Sequence, residues 1–393
     1  MRYLAICDYS LAYTAGAQTA FYREVEALLA AGHEVMVVGS DSQSASIPVG
    51  ALVKHLHRKR FRVPPINFPI FVNNRKLRNF FGEIVEEFKP DAVLCHSEYG
   101  LAVTACEVFQ ARKVPVLFVV HSFFITIGAR VGWPKWLAKF LFRWFIKLDV
   151  PMVQLADSGI DNALQNATLG FSHRADMVIS PSHHQAESMV KAGTPDVRVL
   201  SNVTEVRQSP TPLPAFGVLK LAWVGRFAPE KRLDVALEAA QLAKAELDRL
   251  GVGADRLELH IVGGDARQDP RAIWHGKVTP DEVGSIMAAS HAVMMTSYNF
   301  DNQPMVILEA LAHGRPVVLS DPKLAREFGE ASVLADDHTA EGLARTLVRL
   351  VQNQDALLEP ARAAVERAKL SSGHAHAKRI GEFVAEVRAQ SQG

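Results

Sequence analysis

Two acidic residues stand in the second half of the chain where one anionic ligand could bind. Asp301 lies eight residues before Glu309, and Pro304 between them predicts a helix start, because its fixed φ suits the first helical position. Every residue of 305–312 except Glu309 is apolar, so the helix is predicted to be buried. A buried carboxylate is costly unless a partner hydrogen-bonds it, which makes Glu309 a candidate ligand-binding residue.

A basic pair lies earlier in the same half. Residues 219–226 read LKLAWVGR, a predicted strand that ends in Gly225 and Arg226, and Lys231 follows at the start of the next helix. Arg226 offers a planar fork of donors and Lys231 a point charge, so both could bind one anion at the carboxyl edge of a parallel sheet. Taken alone, this spacing also fits a surface pair, and Glu309 also fits a helix glutamate paired with a nearby Arg or Lys.

Apolar strands and helical patterns alternate along the whole chain, which predicts parallel sheets covered on both faces. The predicted strands cover residues 3–7, 34–38, 92–95, 116–120, 177–180, 219–224, 257–262, 292–296, 316–319 and 332–334. The predicted helices cover residues 18–30, 75–88, 101–110, 184–191, 231–247, 280–288, 304–313 and 340–352, with two more at about 355–370 and 374–390. The predicted fold class is α/β, with two Rossmann-like doubly wound domains facing a cleft.

The domain bounds follow from the length of the chain and from one proline-rich segment. At 393 residues the chain is too long for one ordinary core. We predict an N-terminal domain over residues 1–200, a linker over 201–216 and a C-terminal domain over 217–372. Residues 373–393 are predicted to form a C-terminal helix that braces the N-terminal domain.

Composition favours a cytoplasmic enzyme. Hydrophobic residues make up 48% of the chain and charged residues 22%, so neither half has a disordered composition. Cys7, Cys95 and Cys106 lack the spacing of a metal or redox site, which predicts buried thiols in a reducing compartment. The N-terminal run is interrupted by Asp8 and indicates a first strand, not a signal peptide. No apolar run is long enough to span a bilayer.

Positive charge is concentrated in the first half. Residues 1–191 carry 20 Lys+Arg and 16 Asp+Glu, which leaves 23 and 26 of the totals of 43 and 42 for the remainder. The aromatic segment 133–147, WPKWLAKFLFRWFIK, has a cation at every fourth position, namely Lys135, Lys139, Arg143 and Lys147. At about 100° per residue these cations form one helical stripe, which favours binding to an anionic membrane surface.

Two other interpretations of the basic segments stay open. The aromatic face of 133–147 could pack in the core with solvated lysines outside. The eight Lys and Arg of residues 51–80, which contain no acid, could bind nucleic acid. No nucleic-acid-binding fold motif supports that interpretation, so no nucleic-acid partner is predicted. The predicted location is cytoplasmic, peripheral on the inner face of the cell membrane, with a lipid, lipid-linked or glycan acceptor.

Several motifs together resemble the GT-B glycosyltransferases, and most of all the large retaining family called family four. In the second half they are VGRFAPEKRLD at 224–234, IVGG at 261–264, HGKVTPDEV at 275–283 and DNQPMVILEALAHGRPVV at 301–318. In the first half they are the glycine loop at 15–17, AAGHEVMVV at 30–38, PVLFVVHS at 115–122 and ADMVISPS at 175–182. The resemblance covers nearly the whole chain and implies an acceptor-side domain followed by a nucleotide-sugar domain.

This resemblance implies roles for individual donor-binding residues. Arg226 and Lys231 would hold the donor diphosphate. Glu309 would bind the ribose hydroxyls of the nucleotide, which would supply the partners that a buried carboxylate needs. The main chain of Lys277 and Val278 would meet the base.

The resemblance also implies two catalytic residues, Asp301 and His121. Asp301 would bind hydroxyls of the donor sugar, His121 would face the same sugar from the first domain, and Gly16 would let the backbone approach it. The family pattern has glutamate at both ends of its E-x7-E motif, whereas this chain has Asp301, followed by Asn-Gln-Pro at 302–304 in place of Gly-aromatic-Gly. This departure leaves the donor sugar open. His121 also fits a satisfied histidine at a strand end.

The implied reaction is hexosyl transfer without a metal or other cofactor, the cations neutralising the diphosphate that leaves. Retention would follow from front-side attack, in which the leaving phosphate accepts the proton of the acceptor. The residues show neither an acid–base carboxylate pair nor clustered metal-ligand spacing. Two alternatives stay open: a nucleotide-sugar epimerase or phosphorylase on the same fold, and a non-catalytic relative that binds a nucleotide sugar.

Overall fold

The computed structural model describes residues 1–12, 15–56, 61–63, 68–121, 140, 142–151, 153–157, 159–205 and 211–391. The chain forms two compact units. Unit 1 comprises Met1–Val203 together with Gly373–Gly393, and unit 2 comprises Thr204–Ser372. The chain therefore returns to unit 1 for its last helix.

The secondary-structure elements alternate as the apolar pattern predicts. The described strands are β1 (Arg2–Ser10), β2 (Glu34–Ser40), β3 (Leu52–Val53), β4 (Phe61–Val63), β5 (Phe68–Ile70), β6 (Ala92–Cys95), β7 (Val116–Val119), β8 (Met177–Ser180), β9 (Arg198–Val199), β10 (Leu219–Val224), β11 (Leu257–Val262), β12 (Ile273–Gly276), β13 (Ala292–Met295), β14 (Val317–Leu319) and β15 (Ser332–Leu334). The described α-helices are α1 (Gly16–Ala30), α2 (Arg75–Phe88), α3 (Gly100–Gln110), α4 (Gly159–Ser172), α5 (His183–Ala192), α6 (Leu233–Arg249), α7 (Pro280–Ala289), α8 (Met305–Ala312), α9 (Pro322–Phe328), α10 (Ala340–Gln352), α11 (Leu358–Leu370) and α12 (Gly373–Gln390).

Unit 1 is built on a parallel sheet with the strand order β3-β2-β1-β6-β7-β8-β9, and β4 pairs with β5 in a separate antiparallel hairpin. Successive residues of β1 serve opposite faces of the sheet. Leu4 and Ile6 join a buried core with α2 and α3, whereas Tyr3, Ala5 and Cys7 join a core with α1 and α12. Because both faces are covered, the central part of the strand, Tyr3–Cys7, is apolar throughout.

Unit 2 is built on a second parallel sheet, with the order β12-β11-β10-β13-β14-β15. Leu219, Leu221 and Trp223 of β10 pack with the buried faces of α6 and α10. The two units thus share one construction, a doubly wound parallel sheet with helices on its faces. This confirms the predicted fold class of two Rossmann-like domains.

In each sheet the strand that comes first in the sequence lies inside the sheet and not at an edge. β1 lies between β2 and β6, and β10 lies between β11 and β13. The strand order reverses at these points, so the loops that follow the two neighbouring strands diverge and leave a crevice at the carboxyl edge. In unit 2 the loops after β10 and β13 carry the basic pair and Asp301.

One helix of unit 1 was not predicted. In α4, Asn162 is buried, and its Oδ1 accepts hydrogen bonds from the N–H groups of Leu155 and Ala156 at 2.7 and 3.2 Å. Asn166, one turn later, is also buried and bonds to the main chain of Val153 in both directions. Polar residues therefore occupy the buried face of α4, and the apolar period that identifies a helix in sequence is lost.

The predicted start of α8 was wrong by one residue. Pro304 has an extended backbone (φ −66°, ψ 127°) and caps the helix, whose first residue is Met305. Short strands such as β3 and β9, of two residues each, were not predicted either, because two residues are too few to show a period.

Candidate functional site

Two glycine loops meet at the carboxyl ends of β10 and β11. Gly225 follows β10, and Gly263 and Gly264 follow β11 with φ +110° and +60°. A Cβ atom on Gly263 would lie 2.1 Å from the carbonyl oxygen of Gly225, and one on Gly264 would lie 2.3 Å from the Phe227 ring. Only glycine at 263 and 264 allows the two loops to lie this close together. The loop after β10 continues from Gly225 directly into Arg226 at the edge of the sheet.

Arg226 is the more exposed of the two predicted phosphate-binding cations. Its side chain is 59% exposed, and its Nη2 donates to Oε1 of Glu230 at 3.2 Å. Lys231 closes the single 3-10 turn Pro229–Lys231 and is only 18% exposed. The two cations therefore lie on the same loop between β10 and α6, with different degrees of contact with water.

Backbone contacts with β13 fix the position of Lys231. The Thr296 hydroxyl lies 2.8 Å from the carbonyl oxygen of Lys231 and 2.9 Å from that of Arg232, and it accepts a hydrogen bond from Nε1 of Trp223 at 3.0 Å. Arg232 has a left-handed backbone (φ 51°), and its Nη2 donates to the His338 carbonyl at 2.7 Å. The Lys231 turn is thus tied to both central strands of the sheet.

Lys231 forms an ion pair with Asp301. Their Nζ and Oδ1 atoms are 2.5 Å apart, and the two side chains are 18% and 12% exposed. The Nζ atom also lies 5.5 Å from the centre of the Phe300 ring. The second carboxylate oxygen of Asp301 is buried and has no hydrogen-bond partner among the described residues. An unpartnered buried oxygen is costly, so this atom is an acceptor suited to a hydroxyl or N–H group of a ligand.

The loop that carries Asp301 is also anchored. Asn299 has a left-handed backbone (φ 53°), and its N–H donates to Oδ2 of the buried Asp321 at 2.7 Å. The Tyr298 ring stacks on His338, with ring centres 4.1 Å apart. The loop after β13 is therefore fixed against the loop that precedes α10.

The other predicted donor-binding residues lie around this edge. Glu309 on α8 is partly buried, so the prediction of full burial was wrong, because positions 306 and 309 face away from the packed side of this short helix. Lys277 and Val278 follow β12. Lys277 is 79% exposed, with its Nζ 3.8 Å from Asp265, and Val278 is partly buried.

In unit 1, Gly16 is the exposed first residue of α1, and a Cβ atom there would meet no described atom within 4 Å apart from its chain neighbours. Packing within the described chain therefore gives no reason for a glycine. His121 follows β7 and is partly buried, with its Nε2 2.8 Å from Nδ1 of His96 and the two rings stacked at 5.1 Å. Burial lowers the pKa of His121 to about 3, so its ring is neutral near pH 7.

The residues behind His121 were not predicted from the sequence. Nε2 of His96 lies 3.0 Å from Oε1 of Glu24, and Oε2 of Glu24 lies 2.7 Å from Nε2 of His376 on α12. The sequence did carry a signal for Glu24. This residue stands three positions after Phe21 and four before Leu28, both fully buried, so it occupies the apolar face of α1.

A buried arginine anchors the part of the predicted linker that belongs to unit 2. Arg315 is fully buried, and burial lowers its pKa to about 10. Its guanidinium donates only to main-chain carbonyl oxygens among the described residues, those of Thr211, Pro212, Met287, Ala288 and Gly314. Residues 206–210 of the predicted linker lie outside the described residues.

Half of the predicted cation stripe is described. Lys135 and Lys139 lie outside the described residues, whereas Arg143 and Lys147 are exposed. The segment Phe142–Ile146 is a π-helical turn, and Lys147 has φ +64°. The prediction that Arg143 and Lys147 lie on one α-helical stripe was therefore wrong, because the local helix has i→i+5 bonding and ends before Lys147.

The aromatic residues of the same segment are exposed. Trp144 is 63% exposed and Phe140 is 53% exposed, and their rings stack at 5.9 Å. Phe145 is 41% exposed, and Nζ of Lys147 lies 5.7 Å from the centre of the Trp144 ring. This cluster of Phe140, Trp144 and Phe145, with Arg143 and Lys147, is here called the aromatic–basic patch.

Three further observations bear on the predictions. Across the described ranges, no helix combines the length and the apolar character needed to cross a membrane. In the same part of the chain, His, Cys, Asp and Glu side chains do not form a group of three that could hold a metal ion. The three cysteines are buried and free, as predicted.

Comparison with known proteins gives family matches over both units. The family described as Glycosyltransferase Family 4 matches residues 14–208, and the family described as Glycosyl transferases group 1 matches residues 219–353. The GDP-mannose-dependent alpha-mannosyltransferase of Mycobacterium tuberculosis (strain CDC 1551 / Oshkosh) is 25% identical over 344 residues, which cover 82% of this chain and 79% of that protein. The lipopolysaccharide 1,6-galactosyltransferase of Escherichia coli (strain K12) is 26% identical over 209 residues, which cover 48% and 58%.

Solved structures show the same architecture. The Anabaena protein HepE in complex with UDP-glucose superposes with a TM-score of 0.65 at 14% identity, covering 98% of this chain and 100% of that one. WaaG, a glycosyltransferase involved in lipopolysaccharide biosynthesis, superposes with a TM-score of 0.60 at 14% identity, covering 97% and 99%. Since both halves match glycosyltransferase families and the whole chain follows these folds, the chain belongs to the GT-B glycosyltransferases.

Proposed function

We propose that this glycosyltransferase moves a hexosyl group, with retention and without a metal ion, from a nucleoside diphosphate sugar to a lipid or lipid-linked acceptor at a membrane surface. The observation that carries the donor half of the proposal is the Lys231–Asp301 pair at the switch point of the unit 2 sheet. There a cation and an acid with one unpartnered oxygen lie at the edge where ligands bind in such sheets.

The cations would take the diphosphate. Lys231 is held by its backbone and only 18% exposed, so its charge acts in a partly desolvated place. Arg226 lies on the same loop and can add a forked pair of hydrogen bonds. The N-terminal end of α8, which no side chain caps, adds a positive dipole end on the neighbouring loop. Glu309, on that helix, would accept hydrogen bonds from the ribose hydroxyls.

In the proposed reaction, the acceptor hydroxyl oxygen bonds to C1 of the donor sugar on the face that the diphosphate leaves. The bond between C1 and the phosphate oxygen breaks, and its electron pair stays on that oxygen. The acceptor proton passes to the same phosphate oxygen. Lys231 and Arg226 stabilise the charge that develops on the diphosphate, so the transfer needs no metal ion for this purpose.

Asp301 and His121 are the residues proposed to contact the reacting sugar. The unpartnered Oδ2 of Asp301 would accept a sugar hydroxyl, while Oδ1 keeps Lys231 in place. His121 is neutral, so it would hydrogen-bond to a substrate hydroxyl without adding charge. The relatives support a nucleotide-sugar donor, since the names of the mycobacterial protein and of the Anabaena complex contain GDP-mannose and UDP-glucose.

A donor panel tests the reaction. Thermal-shift measurements with GDP-mannose, UDP-glucose, UDP-galactose and UDP-N-acetylglucosamine should raise the apparent Tm with one donor, because a ligand that binds the native state stabilises it. NMR of the product should then show the anomeric configuration of the donor retained. An inverted product would contradict retention, an isomerised donor sugar would indicate an epimerase, and binding without turnover would indicate a non-catalytic relative.

The aromatic–basic patch is what supports a membrane-bound acceptor. Trp144 and Phe140 expose stacked rings beside Arg143 and Lys147, a composition suited to the interface of an anionic bilayer. Each cation near such a surface contributes about 1 kcal/mol and is screened within a Debye length. The membrane interaction should therefore require anionic lipid and weaken with added salt.

Liposome flotation tests the membrane part with a matched control. Binding to phosphatidylglycerol-containing vesicles should fall in the Phe145→Ala and Trp144→Ala variants. Phe216, in unit 2, is 40% exposed against 41% for Phe145, so Phe216→Ala removes a ring of equal exposure outside the patch and should leave binding unchanged. A wild-type protein that stays unbound at low salt would mean a soluble acceptor.

A further inference from the structure

A line of hydrogen-bonding groups crosses unit 1 and ends at His121. Nδ1 of His376 lies 3.0 Å from the Ser201 carbonyl oxygen, and its Nε2 lies 2.7 Å from Oε2 of Glu24. Oε1 of Glu24 lies 3.0 Å from Nε2 of His96, and Nδ1 of His96 lies 2.8 Å from Nε2 of His121. Four polar side chains from α1, α12 and the ends of β6 and β7 thus form one continuous relay.

One end of the relay sets the direction of its hydrogen bonds. The Ser201 carbonyl oxygen can only accept, so Nδ1 of His376 must carry a proton. His96 and His376 together hold the pKa of Glu24 below its usual range, against the effect of burial, so Glu24 is a carboxylate. The proton between Oε2 of Glu24 and Nε2 of His376 therefore lies on the histidine nitrogen. His376 is then a cation that donates at both nitrogens, and Glu24 is its buried anion.

The same logic continues on the other side of Glu24. Oε1 of Glu24 and Nε2 of His96 lie 3.0 Å apart as an ion pair whose orientation falls short of hydrogen-bond geometry, and neither atom has a hydrogen-bond partner among the described residues. A carboxylate only accepts, so Nε2 of His96 carries a proton. A second buried cation beside His376 would have no anion of its own, so His96 is neutral and its Nδ1 is a bare acceptor. His121 must therefore donate from Nε2. Since a neutral imidazole has one N–H, Nδ1 of His121 is left with a lone pair.

We propose that Glu24 is a positioning residue that acts through His96 to fix the tautomer of His121, so that Nδ1 of His121 accepts a hydrogen bond from a substrate hydroxyl. The inference rests on the proposed function for the role of His121, but the tautomer itself follows from the relay alone. With this tautomer, His121 can only accept at Nδ1, so it selects a substrate hydroxyl that donates its proton to the hydrogen bond.

Packing makes the relay rigid enough to act in this way. Glu24 and His96 have side chains only 4% and 1% exposed. The Phe21 ring meets the His96 ring edge to face at 4.8 Å, and the His96 and His121 rings are within 15° of parallel. A half-turn of the His96 ring about its Cβ–Cγ bond would place ring carbons against Glu24 and His121, so both polar contacts would be lost.

The chain offers a matched pair of variants at position 24. In Glu24→Gln the amide oxygen can still accept from His96 while the amide NH2 donates to a neutral His376, so the direction of the relay is kept. In Glu24→Leu the acceptor is lost, and His96 is free to adopt either tautomer. Glu24→Gln removes the buried charge but keeps the acceptor for His96, whereas Glu24→Leu removes both, so the two variants separate the effect of the charge from that of the hydrogen-bond direction.

Long-range 1H–15N correlation spectra of the full-length protein, assigned with the His96→Asn and His121→Asn variants, show which ring nitrogens carry protons. We expect His121 to be protonated on Nε2 and bare on Nδ1 in the wild type and in Glu24→Gln, and to be mixed in Glu24→Leu. A wild-type His121 with its proton on Nδ1 would overturn the proposal. If Glu24→Leu fails to fold, the other two spectra still decide.

Kinetics with GDP-mannose and UDP-glucose test the positioning role. We expect kcat to fall at least tenfold in Glu24→Leu with the donor KM unchanged, and to stay within threefold of wild type in Glu24→Gln. A folded Glu24→Leu with wild-type kcat overturns the positioning role. Absence of turnover on every donor by the wild type contradicts the proposed function and with it this role, whereas turnover with the wrong tautomer overturns only the inference.

Discussion

The two units treat their charged groups in opposite ways. In unit 1, Glu24 and His96 are 4% and 1% exposed and lie 3.0 Å apart as an ion pair, and the other oxygen of Glu24 lies 2.7 Å from His376 of the same unit. In unit 2, Arg226 is 59% exposed and Asp301 keeps a buried oxygen without a partner among the described residues. A group satisfied inside the fold serves stability and orientation, whereas a group left unsatisfied at a sheet edge is one that a ligand completes. Substitutions in unit 1 should therefore change stability first, and those in unit 2 should change binding first.

Two further buried acids of unit 1, Asp8 and Glu98, differ from Glu24 in the direction of their pKa shifts. Oδ1 of Asp8 accepts the Leu101 N–H at 2.8 Å and Oδ2 accepts the Ser97 hydroxyl at 2.8 Å, and burial still raises the pKa of Asp8 to about 6. Glu98 accepts the Thr168 hydroxyl at 2.9 Å, and burial raises its pKa to about 7. Burial thus raises the pKa of both acids, whereas the pKa of Glu24, which lies between two histidines, is lowered.

The largest expected effect is a pH dependence of unit 1. The folded pKa of Glu98, about 7, lies above its ordinary value of 4.5, so its stabilising contribution is complete below that ordinary value and is lost as pH rises through 7. Between pH 5 and pH 8 the opening free energy of β1 and β6 should fall by up to about 3 kcal/mol. Native-state hydrogen exchange measures it, and Glu98→Gln should remove this part of the slope.

A matched control for that experiment is Glu26→Gln, an exposed acid on α1 in the same unit. Its slope should equal that of the wild type. If the opening free energy of Glu98→Gln depends on pH as strongly as that of the wild type, the Glu98 carboxyl titrates normally. The buried acids of unit 1 would then not make its stability pH-dependent in the expected way.

The next effect is expected at Asp301. The Asp301→Ala variant should lower transfer by about 100-fold, or about 2.7 kcal/mol, because the acceptor for a sugar hydroxyl is lost. Its affinity for the nucleoside diphosphate should stay nearly intact, since Lys231 remains and no longer has a competing anion. Initial rates and calorimetry on the same preparation give the two numbers. Equal losses in both would place Asp301 at the nucleotide instead of the sugar.

A somewhat smaller effect is expected for the diphosphate contacts. Lys231→Ala and Glu309→Ala should each weaken nucleoside diphosphate binding by roughly 1.5–3 kcal/mol, the size of a lost charge-assisted hydrogen bond. Arg226→Ala should cost less, because its side chain is far more exposed than that of Lys231. Calorimetry on folded variants measures this order. Unchanged affinity in all three variants would remove the donor assignment from unit 2.

Much of the fold was predictable from local pattern. The strands β6, β8, β10 and β11 and the helices α2 and α10 have the predicted bounds, because buried strands and amphipathic helices of this length leave a clear apolar period. The candidate residues of unit 2 were likewise predicted from motifs in which glycine, cation and acid stand at fixed spacing. These features are local in sequence, so one segment suffices to reveal them.

Only the tertiary structure decided which of these residues meet. Lys231 and Asp301 are 70 positions apart, and they pair because β10 lies beside β13 at the switch point. Glu24 and His376 are 352 positions apart, and they pair because the last helix returns to unit 1. Strand order and the return of a helix depend on long-range packing, which no local period encodes. The sequence by itself determined most of the elements and the kind of chemistry, and the packing decided which acids, cations and histidines meet.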